Sequence, residues 1–357
     1  MINIPGDILE GGGQILRTSI ALSAIINEPV RISNIRVKRA ISGLRAQHLS
    51  AVKYVAALSN ANIDGLKIGS KEISFIPNSI KGGSFNIDIG TAGSISLLLQ
   101  ALMPVTAFAA NDVMLSIKGG TNNPRAPPIE YLQEVFLPTI SKMGFKGLIN
   151  LLRRGLYPKG GGLVKTEFKP LLQLKSIQIT DFKSVDCIYG ISYSSRLKSH
   201  IIERMAKSAK RVLIMNGYND VKIDLESLKP SDRKCAFDRG CGIVLFAKLK
   251  SGAILGADSL GRIDKTAERV GEDAALCIIN ELKKKSPVDS HLADQIIMYM
   301  GLANGESRIK ITNLSLHTLT NIEICERILG IKYAVKRGID KTAEITCSGI
   351  AFRNKFK

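Results

Sequence analysis

His317 lies in Ser315-Leu-His-Thr-Leu-Thr-Asn321, just ahead of an amphipathic run. A histidine at a helix N-terminus meets a dipole that disfavours the imidazolium, and a neutral imidazole is a nucleophile towards phosphorus. By spacing alone, a capping or packed histidine fits equally well. A second segment with chemical potential is Glu10-Gly-Gly-Gly-Gln14-Ile-Leu-Arg17. Glycines between a strand and a helix expose backbone N–H groups that attract phosphate. Glu10, at the end of that strand, has the chemistry to hold a divalent ion through one carboxylate. A plain tight turn would use the same glycines. Arg36-Val-Lys-Arg39 and Gly43-Leu-Arg-Ala-Gln47-His48 follow. Arginine forks bind phosphate bidentately, although a solvated basic loop has the same composition. The loops 119–128 (GGTNNPRAPP) and 154–162 are rich in Gly, Asn and Pro, as the walls of a ligand pocket often are.

The composition agrees with a phosphate-bearing partner. The 357 residues carry 50 Lys+Arg against 31 Asp+Glu, a net charge of +19. That surplus points to nucleic acid, nucleotide or an acidic surface. With 45% hydrophobic and 23% charged residues, a disordered, collagenous or coiled-coil chain is excluded. The length suits two domains, or one with an insertion. No two of the six cysteines have CxxC spacing, so free thiols in a reducing compartment are expected rather than a zinc site. The start of the chain has no secretory pattern, and the longest apolar run is broken by Gln100, Pro104 and Thr106. A soluble, cytoplasmic protein with no membrane association is expected.

Periodicity predicts the elements that must position these residues. Strands are expected at 2–9, 29–37, 66–69 and 72–76, with helices at 14–26 and 44–60. The pattern repeats, with strands at 84–89, 112–118, 146–152 and 162–168 and helices at 94–109 and from Pro127/Pro128 to about Met143. It returns in part after His291, with helices at 291–302 and 317–329 and strands at 307–312, 331–336 and 342–347. The predicted fold class is α/β (α+β), with repeated βαβαββ modules of about 80 residues. The divisions are 1–183 for modules one and two, 184–277 for an inserted α/β domain, and 278–357 for module three.

In order along the chain stand EGGGQILRTS, IRVKRAISGLRAQHL, GTAGSISLLLQALMP, GGTNNPRAPP, RRGLYPKGGG, HLADQ and SLHTLTNIEI. Together they resemble the RNA 3′-terminal phosphate cyclase family over nearly the whole chain. The resemblance implies three modules like the C-terminal domain of a translation initiation factor, plus an insert of thioredoxin-like topology. It also implies a reaction: ATP converts an RNA 3′-phosphate end into a 2′,3′-cyclic phosphodiester, through a histidine–AMP adduct and an RNA(3′)pp(5′)A intermediate.

By the same resemblance, His317 is the nucleophile and Glu10 holds Mg²⁺ or Mn²⁺ beside ATP. Gln14, Gln100, Pro127, His291, Leu292, Ala293, Asp294 and Gln295 match ATP-binding positions, with Pro127 and His291 flanking the adenine. Arg17, Arg36, Arg39, Gln47 and His48 match residues tied to activity at the triphosphate and the RNA end, Arg17 and Arg39 with a catalytic part. Asn122 stands where family members often have Asp. Three rival readings share some of these features. One is a catalytically inactive cyclase-like protein of ribosomal RNA maturation, which would lack the histidine. The others are an enolpyruvyl transferase, which needs six modules, and a plain RNA-binding module. A homo-oligomer is compatible with the sequence.

Overall fold

The computed structural model describes all 357 residues. The chain opens with β1 (Ile2–Pro5), α1 (Gly13–Ile26), β2 (Val30–Ser33), α2 (Ala46–Ser59), β3 (Asn62–Asp64) and β4 (Ile73–Ile76). These strands form one sheet in the order β1-β2-β4-β3, with β1 and β2 parallel and the other pairs antiparallel. The first strands are shorter than their alternation suggests. A Cβ at Gly6 would lie 2.6 Å from the Ser33 carbonyl oxygen, so the chain turns there at close quarters. Beyond Ser33, Asn34 and Arg36 take φ of 52° and 56°, which no strand sustains. The strand expected at 66–69 is a turn instead, and the pairing residues are Asn62–Asp64.

β5 (Gly83–Asp88), α3 (Ile95–Thr106) and β6 (Val113–Gly119) follow. The helical stretch opened by the two prolines is divided into α4 (Ile129–Tyr131), a π-helical turn (Leu132–Phe136) and α5 (Leu137–Ser141). Pro138, in the first turn of α5, has no N–H to donate and crowds the preceding carbonyls, and the wider turn absorbs both effects. β7 (Lys146–Arg153) and β8 (Gly162–Lys169) complete a second sheet in the order β5-β6-β8-β7.

The next strand is β9 (Gln178–Ile179). Then come β10 (Val185–Ser195), α6 (His200–Met215), β11 (Val221–Leu228), β12 (Gly240–Leu249), β13 (Ile254–Leu260) and α7 (Ala267–Lys283). Their sheet has the order β11-β10-β12-β13. α8 (Ser290–Leu302), β14 (Glu306–Ile311), α9 (Leu316–Leu329), β15 (Tyr333–Arg337) and β16 (Ala343–Ser348) end the chain. β9 pairs in parallel with β14, giving the order β9-β14-β16-β15. The last sheet thus draws a strand from before residue 184. At two residues, that strand is too short to show alternation in the sequence.

α1 is the centre of the site. All residues from Gln14 to Ile25 are buried, because α1 packs against α2, α3 and α9. Large Ile and Leu alternate with Thr, Ser and Ala along it, which lets neighbouring helices approach closely. No helix is long and apolar enough to cross a membrane, and all six cysteines are unpaired.

Candidate active site

Three helix N-termini converge. α1 begins after Gly12, whose extended backbone brings no capping side chain, so its first N–H groups have no side-chain acceptor. A Cβ on Gly12 would stand 2.1 Å from Glu10 Oε2 and one on Gly13 2.5 Å from His48 Nε2, so a larger residue at either would displace a side chain of the site, and Gly11 takes a φ of 61°. α9 is capped by Ser315, whose hydroxyl accepts from the Thr318 amide at 3.0 Å. α8 is capped by Asp289, whose Oδ1 accepts from the amides of His291 and Leu292, both at 2.9 Å.

α9 docks on the glycine turn through its polar face. The Glu10 amide donates to Thr320 Oγ1 at 3.4 Å, Gln14 Nε2 donates to Asn321 Oδ1 at 3.1 Å, and Thr18 Oγ1 donates to the same oxygen at 2.7 Å. Asn321 in turn donates to the Asp294 carbonyl at 2.6 Å. One amide side chain therefore ties α1, α8 and α9 together. The result places His317 Nδ1 4.0 Å from Glu10 Oε2, with half of the histidine side chain exposed. The ring stands beside the glycine turn and open to solvent, although some 300 residues separate the two in sequence.

Glu10 has two different oxygens. Oε1 is paired with Arg39; Oε2 is buried and has no hydrogen-bond partner. Arg17 Nη2 donates to Gln14 Oε1 at 2.7 Å, while its buried Nε is unpartnered. Burial lowers the Arg17 pKa to about 10, against some support from Asp294, and leaves it charged at neutral pH. Burial first, and then Arg17 and Arg39, push the His317 pKa below the usual histidine value. The His48 pKa falls to about 3, by burial and then by Arg17, Arg36 and Arg45. His48 Nδ1 accepts from the Arg45 amide at 3.2 Å, so the neutral ring carries its proton on Nε2, directed at Gly13.

Arg17, Gln14, Gln100, Asp294 and Gln295 line a common cavity of about 20 Å³, together with Asn321, Thr18 and the apolar side of Phe136, Met298 and Tyr299. Asp294 is held up to about 7 by burial, with His291 and Arg17 working against that rise. The other predicted residues lie around this centre. Gln47 abuts the Gly93 turn. Arg36 donates to the carbonyls of Ile41 and Gly43, at 2.9 Å each, and so braces its own loop. Pro127 is buried just before α4, while His291 is exposed and meets the Tyr131 ring edge-on at 5.9 Å between centroids. Leu292 and Ala293 are core residues, 1% and 0% exposed, so their side chains anchor α8 rather than reach a ligand.

Sequence reasoning overlooked Asn321, Thr320 and Asp289. All three are polar residues within or just before quoted motifs, and their importance is visible only once the helices meet. Asn122, buried, donates to Glu130 Oε2 at 2.9 Å and accepts from Arg154 Nη1 at 3.3 Å. Arg154, fully buried, also binds Glu130 Oε1 and Glu226 Oε1, each at 2.5 Å, and stacks 3.8 Å from the centre of the Tyr193 ring. A larger cleft, of about 430 Å³, opens beside this network between β7 and β10.

The model of the family described as RNA 3′-terminal phosphate cyclase matches residues 8–335. The chain belongs to that family. Curated relatives named RNA 3′-terminal phosphate cyclase include one from Ignicoccus hospitalis, 44% identical over 92% of this chain and 93% of its own. Another, from Pyrococcus furiosus, is 42% identical over 97% and 98%. A third, from Desulfurococcus amylolyticus, is 42% identical over 99% of both chains. Among solved structures, an EPSP synthase from Acinetobacter baumannii aligns with 98% of this chain and 65% of its own, at 13% identity and a TM-score of 0.30.

Proposed function

We propose that this member of the RNA 3′-terminal phosphate cyclase family uses ATP to close an RNA 3′-phosphate into a 2′,3′-cyclic phosphodiester. The observation that carries the reading is the position of His317, solvent-accessible and 4.0 Å from Glu10 at a glycine turn whose helix start has no capping side chain. Such a turn suits a triphosphate. Family membership and the relatives' names support the same substrate.

In the proposed sequence, His317 reacts as the neutral ring, with its proton on Nδ1 and its lone pair on Nε2. Nε2 attacks the α-phosphorus of ATP, the bond to the bridging oxygen breaks and pyrophosphate leaves. An oxygen of the RNA 3′-phosphate then attacks the same phosphorus and displaces the histidine, giving RNA(3′)pp(5′)A. Finally the neighbouring 2′-oxygen, losing its proton, attacks the 3′-phosphorus, and AMP departs. A terminal phosphate is a poor electrophile, and joining AMP to it supplies the leaving group it lacks. Arg17 and Arg39 oppose the charge that develops, and His48 offers an N–H to a phosphate at Gly13. Gln14, Gln100, Asp294 and Gln295 would receive the nucleotide, with Pro127 and His291 on either side of its base.

Mg²⁺ or Mn²⁺ fits Glu10, whose buried Oε2 lacks a partner. No group of three ligating side chains converges there, so phosphates and water would complete the coordination. Bound there, the ion would neutralise charge on the phosphates.

The fold supports the reading. Three of the four sheets share one strand order, as three βαβαββ modules would, and we take β10 to α7 as the segment inserted into the third. ATP, RNA and unpaired thiols all suit the cytoplasm. Incubation with α-labelled ATP and a divalent metal should give acid-labile AMP on the protein, and His317→Ala should abolish it. An unlabelled wild type would instead favour a non-catalytic cyclase-like protein.

A further inference from the structure

The segment joining β7 to β8 reads Arg153-Arg-Gly-Leu-Tyr157-Pro-Lys-Gly-Gly-Gly162, and the reaction proposed above uses none of it. On one side it lies against the Gly90–Gly93 turn. A Cβ on Gly160 would meet Ala92 Cα at 2.7 Å and the Thr91 carbonyl oxygen at 2.8 Å. That turn adjoins the site, since a Cβ on Gly93 would stand 3.6 Å from Gln47 Cβ, and Gln47 precedes the His48 ring that abuts Gly13. On its other side the segment meets the connection between β11 and β12. The Lys159 amide donates to Asp238 Oδ2 at 2.6 Å. A Cβ on Gly161 would lie 2.5 Å from the Phe237 ring, and one on Gly240 2.7 Å from Leu156 Cδ1. A line of close contacts thus runs from Gly13 to Phe237.

The far end of that line is aromatic and basic. Tyr157 is 73% exposed and Phe237 46%. Of all the tyrosines and phenylalanines, only these two and Phe356, next to the C-terminus, are exposed. The Phe237 ring is held in place: the Arg153 guanidinium carbon stands 4.4 Å from its centre, and Arg153 Nε donates to the Gly161 carbonyl at 2.9 Å. Exposed Arg196 donates to the Ala236 carbonyl at 2.9 Å, and exposed Arg239 follows Phe237 by two residues. Asp238, the carboxylate between them, is turned to Lys159, whose Nζ lies 3.8 Å away. Fixed rings among cations suit a single-stranded nucleic acid, whose bases stack while its phosphates meet the positive charges.

We propose that Tyr157 and Phe237 form a stacking platform for the RNA strand upstream of its 3′ end, with Arg196 and Arg239 meeting its phosphates. This rests on the reading that seats the 3′-phosphate at the glycine turn. It extends that reading by giving the segment from β10 to α7 a part in holding substrate. Every base has a π-face, so length of RNA rather than base identity would govern affinity.

The test follows a fluorescein-labelled, 3′-phosphorylated RNA decamer by anisotropy, with an unlabelled 3′-phosphorylated dinucleotide as competitor. The wild type should bind the decamer about tenfold or more tightly than the dinucleotide. Tyr157→Ala and Phe237→Ala should each weaken the decamer about fivefold or more and leave the dinucleotide unchanged, while Phe237→Trp, which keeps a stacking face, should retain the wild-type affinity. Arg239→Ala should lessen the slope of log K against log salt for the decamer by about 0.7. Equal affinity of the wild type for the two RNAs would overturn the proposal. So would an unchanged decamer affinity when both aromatic residues are replaced by alanine, or an equal loss for both RNAs, which would mark a purely structural role. If the wild type binds the decamer as expected yet takes no AMP from labelled ATP, the proposed reaction falls and the platform stands.

Discussion

At the scale of the residue, charge decides what each side chain can do. Burial, and then the nearby Arg17 and Arg39, keep the His317 ring neutral to lower pH than an ordinary histidine. The acid limb of adduct formation should therefore have its midpoint below about 6.5. Arg39→Ala removes a positive neighbour and unpairs Glu10, so both effects should move the limb to higher pH in a pH–rate profile. His48 and Asp294 make opposite contributions to stability. His48 titrates near 3 in the fold and near 6.5 when unfolded. Below pH 6.5 the unfolded chain takes up a proton that the fold refuses, so stability falls as pH drops towards 3. Asp294 is raised to about 7 from about 3.9 in the unfolded chain. The fold keeps that proton longer, so stability falls as pH rises from about 4 through 7. Urea titrations should show a flatter acid-side slope for His48→Gln and a gain at pH 8 for Asp294→Asn.

At the scale of the element, Asp289 joins α8, Tyr131 and β13 through one carboxylate. Asp289→Ala leaves two amides at the start of α8, one tyrosine hydroxyl and the Gly256 amide without their acceptor. A loss of about 2–4 kcal/mol is expected, readable as a lower urea midpoint with unchanged slope. Asp289→Asn, which keeps a capping oxygen, should lose less. This junction also marks how far the sequence could be read. Helices with strong periodicity, such as Gly13–Ile26 and Leu316–Leu329, were legible to within a residue or two. So were the chemical motifs, because glycine turns and arginine pairs are conspicuous. The strand at Gln178–Ile179 was not, since two residues carry no pattern. Nor were the roles of Asn321 and Asp289, because a polar side chain that joins three elements has no local signature. The π-helical turn at Leu132–Phe136 was hidden for another reason, since Pro138 reads as compatible with a helix start as well as with a distortion.

At the scale of the whole molecule, the chain carries a net charge of +19. Arg39 pairs with the one carboxylate of the glycine turn, Arg17 binds Gln14 at the start of α1, and Arg36 braces the loop that follows β2. Affinity for a 3′-phosphorylated single strand should fall linearly in a plot of log K against log salt, and Arg36→Ala should lessen the slope by about 0.7. Fluorescence anisotropy at several salt concentrations measures both, and a flat line would contradict them. The enclosed Arg154 has a different consequence. Its guanidinium is held from one side by Glu130 and from the other by Glu226 on β11, with Tyr193 of β10 against its face. A shortened chain in which a brief linker replaced β10 to α7 would strip away one of its two counter-charges and its aromatic cover. What remained would be a cation half-wrapped in protein, and such a truncation should be recovered only as aggregate.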